Sequence, residues 1–169
     1  MTEESAAESA APRLRPARAG DAAAIARIWH EGWNDGHRGH VPTALLAVRT
    51  PESFVLRAPR RVDDTVVATV AGAVAGFVMV VDDEVEQVYV SRDHRGTSVA
   101  VALLAEAERL VAAKGHRRAW LAVVNGNARA RRFYERNGWR DEGLFEYLAA
   151  SAGGPIHVAC HRYVKAVNR

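Results

Sequence analysis

Apolar residues recur at helical spacing in four stretches of the chain. The first stretch follows Gly20 and Asp21, a natural N-terminal cap, and its apolar positions are Ile25, Ile28, Trp29 and Trp33. The polar segment NDGHRGHVP ends this helix. A second helical region is predicted from about Thr43 to Arg61, with an interruption before Pro51, because the residue that precedes a proline disfavours helix.

The other two helical stretches lie further along the chain. One is predicted from about Thr97 to Lys114 and closes on Gly115, and its apolar stripe comprises Val99, Leu103, Ala107, Leu110 and Val111. The other is the shorter segment NARARRFYERNG, which also closes on a glycine.

The remaining apolar runs are typical of β-strands, because they are short, rich in β-branched residues and bounded by turns. They are PRLRPA, three runs within TVVATVAGAVAGFVMVVDDEVEQVYV, RRAWLAVV, EGLFEYLA and PIHVACHRYVK. The resulting order of strands and helices predicts one mixed α/β domain. We expect this domain to occupy residues 13–169, after a disordered tail at residues 1–12 that is rich in Ala, Ser and Glu.

Composition narrows the class of protein. The 169 residues are 49% hydrophobic and 25% charged, which suits one domain with a substantial core. No run of about 18 apolar residues occurs, and the polar start MTEESAAESA lacks the apolar stretch of a secretory signal. We therefore expect a cytoplasmic protein that does not enter a membrane. The single Cys160 is interpreted as a packing residue.

The formal net charge of +3 is not, by itself, a sign of nucleic-acid binding. Nearly all of the basic residues are Arg, and the densest cluster is Arg129, Arg131, Arg132, Arg136 and Arg140. Arginines spaced around a helix are more typical of a solvated face, and no aromatic stacking pattern accompanies them. We expect no nucleic-acid partner.

The stretch EQVYVSRDHRGTSVAVALLAEAE combines a strand, a charged turn and a helix start. The N–H groups of a first helical turn lack intrahelical partners, so a glycine-containing entry can bring them close to an anion. The run RGTSVA here resembles the Gln/Arg-x-x-Gly-x-Gly/Ala signature of the GNAT superfamily of acetyl-CoA-dependent N-acyltransferases. Arg95 and Ala100 match that signature, Gly96 matches a common variant of it, and Ser98 replaces the usual glycine.

A second stretch, NGNARARRFYERNGW, carries the same resemblance. It reproduces the family's Asn-x-x-Ala-x-x-Phe-Tyr-Glu pattern at Asn127, Ala130, Phe133, Tyr134 and Glu135. Because the two signatures occur in order, with a β meander before them and two strands after them, the resemblance is specific and extends over about residues 13–165.

The resemblance implies a fold and a cosubstrate. The fold is α/β (α+β mixed): a single GNAT-like domain with a mostly antiparallel mixed sheet of about seven strands, splayed between its fourth and fifth strands and flanked by about four helices. The cosubstrate is acetyl-CoA, with its pyrophosphate at the helix start and its pantetheine arm along the fourth strand. The implied contacts are Val88, Tyr89, Val90, Arg95, Gly96, Thr97, Ser98, Val99, Ala100, Asn127 and Tyr134.

Acetyl transfer to an amine by direct attack in a ternary complex needs a neutral nucleophile, a polarised carbonyl and a proton for the thiolate. The family implies a carboxylate base, and Glu84 and Glu86 stand two apart on the strand before the helix start. Both are candidates for the base. We prefer Glu86 and expect Glu84 to be an exposed carboxylate near a turn. Tyr134 matches the family's general acid, and the backbone N–H of Tyr89 or Val90 would polarise the carbonyl.

The acceptor pocket is less well defined by the sequence. The family implies that the first two helices and the last hairpin shape it, so the candidates for substrate binding are Trp29, Trp33 and His37, with His40 close by. Core packing is the alternative role for the two tryptophans. The histidines lack a carboxylate or cysteine at a recognised metal-ligand spacing, and we expect no metal.

Three functional readings follow from the resemblance. The first is a small-molecule N-acetyltransferase that moves an acetyl group to a primary amine, and many such relatives are homodimers. The second is an acetyltransferase that acts on N-terminal or lysine amines of peptides and proteins. The third is a non-catalytic acyl-CoA-binding module, against which the joint presence of Glu86, Asn127 and Tyr134 argues.

Overall fold

The computed structural model describes residues 11–168, so all but the end of the predicted tail lies outside the described residues. The strands are β1 (Arg13–Pro16), β2 (Thr65–Val70), β3 (Ala73–Val81), β4 (Glu84–Val90), β5 (Arg118–Val124), β6 (Arg140–Ala149) and β7 (Ile156–Ala166). The helices are α1 (Ala22–His37), α2 (Thr43–Val48), α3 (Pro51–Arg57), α4 (Val99–Ala113) and α5 (Ala128–Arg136). Short 3-10 turns occupy Ala19–Asp21, Ala58–Asp64 and Arg92–His94.

The strands form one sheet in the order β1-β2-β3-β4-β5-β7-β6. All neighbouring strands are antiparallel except β4 and β5, which run parallel. The register of that parallel pair contains one partnership, Glu84 with Trp120, after which the strands diverge. The predicted mixed sheet of seven strands, splayed between the fourth and fifth, is therefore confirmed, with five helices in the described part instead of about four.

Strand β4 contains a bulge. Met79 of β3 is opposite Gln87, whereas the next residue, Val80, is opposite Val85, so Glu86 has no partner on β3. An extra residue of this kind bends a strand and increases its local twist. The bulge lies where β4 leaves β5, so it contributes to opening the sheet.

Two hydrophobic clusters cover the two faces of the sheet. On one face, α4 places its predicted apolar stripe, including Leu103, Ala107 and Val111, against Val78 and other strand residues. On the other face, α1 and α3 pack Trp29 and Phe54 onto the strands. The helix pattern read from the sequence therefore predicts the buried side of both long helices correctly.

The start of α1 differs from the prediction in its capping. The helix begins directly after Asp21, but the Asp21 side chain forms no capping bond to it. Instead the carboxylate accepts a hydrogen bond from the Arg18 N–H at 2.8 Å and two from the Arg15 guanidinium at 2.7 and 2.9 Å. The Asp21 carboxylate therefore ties β1 to the entry of the helix, and these bonds hold its pKa below the ordinary value.

Candidate active site

The divergence of β4 and β5 opens a cavity of about 340 Å³ between the two strands. Its floor is made by β4 and β5, and its walls come from α1, α5, the segment around α2 and α3, and the strands β6 and β7. Elements that are distant in sequence therefore meet at one opening in the sheet.

The backbone of β4 presents free hydrogen-bonding groups to this gap. The Ser91 N–H donates to the Ala75 carbonyl of β3 at 2.8 Å, which makes this a hydrogen-bonded pair. Such pairs alternate along antiparallel strands. The backbone N–H and carbonyl of Tyr89 therefore also point to β3, while the N–H groups of Val88 and Val90 point to the gap. Of the two amides expected to polarise a carbonyl, the one of Val90 is directed at the opening.

The start of α4 has the geometry expected of an anion site. Gly96 has a φ of +75°, a left-handed conformation that favours glycine, and a Cβ there would meet nothing within 4 Å. Glycine is needed at this position for its backbone and not for space. Ser98 is exposed, has ordinary helical angles and forms no capping bond, while Thr97 Oγ1 lies 3.4 Å from the Val99 N–H.

The arginine of this turn has an acidic partner that the sequence did not reveal. Arg95 lies 2.8 Å from the Asp35 carboxylate near the end of α1, and Arg92 lies 3.1 Å from the same carboxylate. The hydrogen bonds from Arg92 and Arg95 lower the pKa of Asp35 despite some burial. The end of α1 and the start of α4 are thereby linked by one carboxylate and two arginines.

Asn127 and Tyr134 both line the cavity, on α5 and at its start. Asn127 caps α5, since its Oδ1 accepts the Ala130 N–H at 3.2 Å. Tyr134 packs between Phe133, Trp139 and Tyr163, with ring centroids 5.3 to 6.2 Å away. Burial raises the pKa of the Tyr134 hydroxyl, so the group remains protonated at neutral pH.

Glu84 and Glu86 line the same cavity in different environments. Glu86 forms a two-pronged ion pair with Arg61, at 2.7 and 3.1 Å. Glu84 forms no ion pair with any residue in the described part of the chain, and it accepts a hydrogen bond from the Tyr147 hydroxyl at 2.9 Å. Burial raises the pKa of Glu84, and the neighbouring charge of Glu86 raises it further. The expectation that Glu84 is an exposed carboxylate is wrong, because β6 brings Tyr147 over it.

The aromatic residues expected to bind substrate make mainly packing contacts within the protein. Trp29 is fully buried and makes edge contacts with Phe54 and Phe77, whereas Trp33 is 6% exposed and stacks on the His37 ring at 4.7 Å. The His37 Nδ1–H donates to the Trp33 carbonyl at 2.9 Å, and burial lowers the pKa of His37 to about 4. His37 is therefore neutral at physiological pH. All three residues still border the cavity.

Sequence reasoning missed two arginines of the cavity, Arg49 and Arg57. Both lie in the short α2–α3 region, where a basic residue ordinarily faces solvent. Burial lowers the pKa of both, and that of Arg57 falls to about 10. The signal that could have indicated them is the break before Pro51, which turns this segment back over the sheet.

Other polar groups singled out from the sequence do not gather into a metal site. His40 is exposed and does not line the cavity, while His157 and His161 bond to Glu146 and Asp141. Within residues 11–168, no group of three or more His, Cys, Asp or Glu side chains is placed to hold a metal ion. Cys160 is buried in the core, and burial raises the pKa of its thiol to about 11, as suits a packing residue.

The comparison with known families is decisive for the class of protein. Residues 22–139, from the first residue of α1 to the turn before β6, match the acetyltransferase (GNAT) family. The chain belongs to this family. Its two signature stretches lie at the start of α4 and in α5, on either side of the strand gap.

Individual GNAT relatives support the family and the fold. An uncharacterised N-acetyltransferase of Mycobacterium tuberculosis is 32% identical over 77 residues, which are 43% of this chain. That alignment covers 49% of the relative, so the chain spans about half the length of the curated relatives it matches.

Two solved structures have the same fold. A GCN5-related N-acetyltransferase from Rhodopseudomonas palustris superposes with a TM-score of 0.72 at 22% identity, covering 94% of this chain and 98% of that one. The PaiA N-acetyltransferase from Thermoplasma acidophilum, solved in complex with coenzyme A, gives a TM-score of 0.65 at 16% identity, covering 92% and 99%. No helix of the described GNAT domain has the length and apolarity needed to cross a membrane.

Proposed function

We propose that the protein is an acetyl-CoA-dependent N-acetyltransferase that acetylates a primary amine on a small molecule by direct attack in a ternary complex. The observation that carries this proposal is the strand gap, in which a free edge of β4 leads into a cavity bordered by Glu84 and Tyr134. The membership of the GNAT family and the coenzyme A complex of the PaiA relative support it.

The residues present fit a coenzyme A thioester. The arm of that molecule carries amides, and the outward groups of Val88 and Val90 are the backbone donors and acceptors that amides need. The first turn of α4, entered through Gly96, has N–H groups for a pyrophosphate, with Arg95 beside them. Ser98 adds an exposed hydroxyl to this turn, and Asn127 borders the gap between the strands.

Glu84 is the better candidate for the base, in preference to Glu86. Both oxygens of the Glu86 carboxylate are already engaged by the Arg61 guanidinium, which leaves them less accessible to an acceptor amine. Within residues 11–168, Glu84 forms no ion pair, and burial raises its pKa although the hydrogen bond from the Tyr147 hydroxyl opposes this shift. A raised pKa makes a carboxylate a stronger base. In this scheme Glu84 removes a proton from the acceptor ammonium, directly or through water.

Tyr134 supplies the proton for the departing thiolate. Bound acetyl-CoA provides the thioester, whose C–S bond breaks as the C–N bond to the acceptor forms. The Tyr134 hydroxyl donates its proton to the sulfur, and the second proton released by the nitrogen restores it through solvent. The raised pKa of Tyr134 keeps its hydroxyl protonated at neutral pH, so that it can act as the proton donor.

The side walls of the cavity favour a small acceptor over a peptide. Trp33, Leu45 and Tyr147 reach it from three different elements, so it is walled on several sides. A peptide or protein acetyltransferase would need an open groove, and this remains the second candidate only because the amine chemistry is the same. A cytoplasmic location and a homodimer stay expectations, and light scattering of the purified chain would measure the latter.

The test is thiol release from acetyl-CoA with a panel of small amines and peptides, measured for the native protein and for Tyr134→Phe. Removal of one hydroxyl keeps the ring packing, so we expect kcat to fall on the order of 10²-fold while acetyl-CoA affinity stays unchanged. The matched control is Tyr163→Phe, which removes a hydroxyl bonded to Glu135 and Arg131 outside the cavity. Coenzyme A binding without turnover on any acceptor would instead identify a binding module.

A further inference from the structure

Two arginines face the acceptor side of the cavity without an acidic partner. Arg49, at the end of α2, donates to the Ala150 carbonyl at 2.6 Å. Arg57, at the end of α3, lies over the Trp29 ring with its Cζ 4.3 Å from the ring centroid. The Arg57 Nη1 is buried and has no hydrogen-bond partner among residues 11–168. Neither arginine forms an ion pair within the described part of the chain.

The nearby carboxylates do not neutralise these two guanidinium groups. Glu86 is committed to Arg61, and Glu84 is bonded to the Tyr147 hydroxyl. Neither of the two carboxylates that line the cavity is therefore paired with Arg49 or Arg57. An unpaired donor in a buried guanidinium is unfavourable unless a ligand satisfies it. The burial of Arg57 and the positive charges of Arg49 and Arg61 lower its pKa to about 10, although the Glu86 charge partly opposes this shift.

Coenzyme A phosphates are not the missing partner. Arg57 packs on Trp29 and Phe54, which belong to the cluster on the α1 and α3 face of the sheet. The start of α4, with Val99 in the other cluster, lies on the opposite face. The anion that Arg49 and Arg57 suit must therefore enter with the acceptor.

We propose that Arg49 and Arg57 bind the carboxylate of the acceptor, which is an amino acid. This inference rests on the proposed N-acetyltransferase function and names the substrate class of that site. A guanidinium fork matches a carboxylate with two parallel hydrogen bonds, which a neutral ligand cannot offer. The ammonium of the same molecule is placed towards Glu84, and Leu45, Leu148 and Val158 supply an apolar wall for its side chain.

The experiment measures binding of reaction products, so that it does not depend on turnover. Calorimetry in the presence of saturating coenzyme A compares N-acetyl-alanine, N-acetyl-leucine and N-acetyl-phenylalanine, each with its carboxamide. The proteins are the native chain, Arg49→Gln, Arg57→Gln and the double variant, with Arg60→Gln as a matched control because Arg60 is exposed and does not line the cavity. Arg57→Lys keeps the positive charge but removes the planar guanidinium that can form two parallel hydrogen bonds with a carboxylate.

We expect at least one N-acetyl amino acid to bind about 10- to 100-fold more tightly than its carboxamide. This is the change in affinity expected from one hydrogen bond to a charged group. This preference should disappear in the double variant, persist in Arg60→Gln and be partly kept in Arg57→Lys. Should Arg57→Gln fold poorly, Arg49→Gln carries the same comparison, since its one described hydrogen bond is to a carbonyl.

Equal binding of acid and carboxamide, or no binding of either, would overturn the assignment of a carboxylate site. A preference that survives in the double variant would overturn the role of these two arginines. Coenzyme A binding and thiol release with amines that lack a carboxylate are measured alongside. If coenzyme A binds and these amines are acetylated while the N-acetyl amino acids do not bind, the acetyltransferase function stands and only the carboxylate site is rejected. If coenzyme A does not bind, the proposed function itself is rejected.

Discussion

The two ends of the strand gap differ in the kind of polar group that they present. At the start of α4, the available donors are backbone N–H groups, and the nearby Arg95 already has Asp35 as a partner. At the proposed acceptor end, the groups are side chains from separate elements, among them Glu84 and Arg57, whose Nη1 has no hydrogen-bond partner within residues 11–168. One end is exposed and built from one local segment, whereas the other is partly buried and assembled from distant segments.

This difference implies that the two ends can be perturbed separately. Changes at the start of α4 should act on coenzyme A affinity, because that region is distant from the proton-transfer groups. Changes at the acceptor end should act on kcat or on acceptor KM. A variant whose effect crosses from one end to the other would show that the gap behaves as one unit.

The largest effect is expected for Glu84→Gln. If Glu84 is the base, kcat at neutral pH should fall on the order of 10²-fold with unchanged coenzyme A affinity. The base acts when ionised, so activity of the native protein should decline as pH falls through the raised pKa of Glu84, and this acid limb should be absent in the variant. Steady-state rates across pH provide the measurement.

Glu86→Gln is the matched control for this prediction. It breaks the ion pair with Arg61, and we expect a rate loss below about tenfold. A larger loss in Glu86→Gln than in Glu84→Gln would return the base role to Glu86.

The same Glu84→Gln variant has an expected effect on stability. Burial penalises the ionised form of Glu84, so the melting temperature of the variant should be no lower than that of the native protein at neutral pH. Any difference between the two melting temperatures should vanish below pH 4.5, the ordinary pKa of a glutamate, because Glu84 is then protonated in both the folded and the unfolded state.

A smaller effect is expected for Gly96→Ala at the other end. A left-handed φ costs a non-glycine residue about 1–2 kcal/mol, so the turn should relax and coenzyme A should bind about tenfold more weakly. Gly20→Ala is the control, since a Cβ there also meets nothing within 4 Å and its φ is not in the left-handed region. Equal affinity in Gly96→Ala would show that the turn geometry is not needed for binding.

Asp35→Asn should have the opposite sign. It removes a negative charge beside Arg92 and Arg95, so coenzyme A should bind up to about fivefold more tightly at low salt, the scale of an exposed ion pair. Calorimetry at two ionic strengths measures this. Weaker binding would mean that the carboxylate is needed to orient Arg95.

Ser98→Gly should have the smallest effect. Ser98 already has helical angles and no capping bond, so glycine gains nothing from its conformational freedom. We expect coenzyme A affinity to stay within about twofold and the melting temperature to fall slightly. A tightening of tenfold would show that the Ser98 side chain obstructs the phosphates.

Local sequence predicted the start of α4 better than it predicted the acceptor end. The apolar stripe from Val99 to Val111 and the terminating Gly115 fix the helix within a few residues, and Gly96 fits the turn before it. The strand gap was predicted from the resemblance to the GNAT family, because hydrophobic periodicity alone does not show whether neighbouring strands separate. The bulge at Glu86 was not visible, since it depends on the register with β3.

The environment of Glu84 could not be predicted for a related reason. Its partner Tyr147 is 63 residues away, and the contact exists only because β6 and β7 fold beside β5. Arg49 and Arg57 were missed because a basic residue in a short helical segment usually faces water. Only the tertiary contacts, Arg57 over the Trp29 ring and Arg49 with the Ala150 carbonyl, bring them to the cavity. Side-chain roles that depend on tertiary contacts of this kind do not follow from local pattern.

The sheet order has a consequence for synthesis on the ribosome. Strand β6 pairs with β7 and not with β5, so β6 has no sheet partner when it first emerges. Since β7 must insert between the two strands, the segment carrying Tyr147 and Leu148 stays unpaired until Ile156–Ala166 has been translated. Nascent chains released before that point would expose the unpaired edge of β5, which makes truncated products of this protein prone to aggregation.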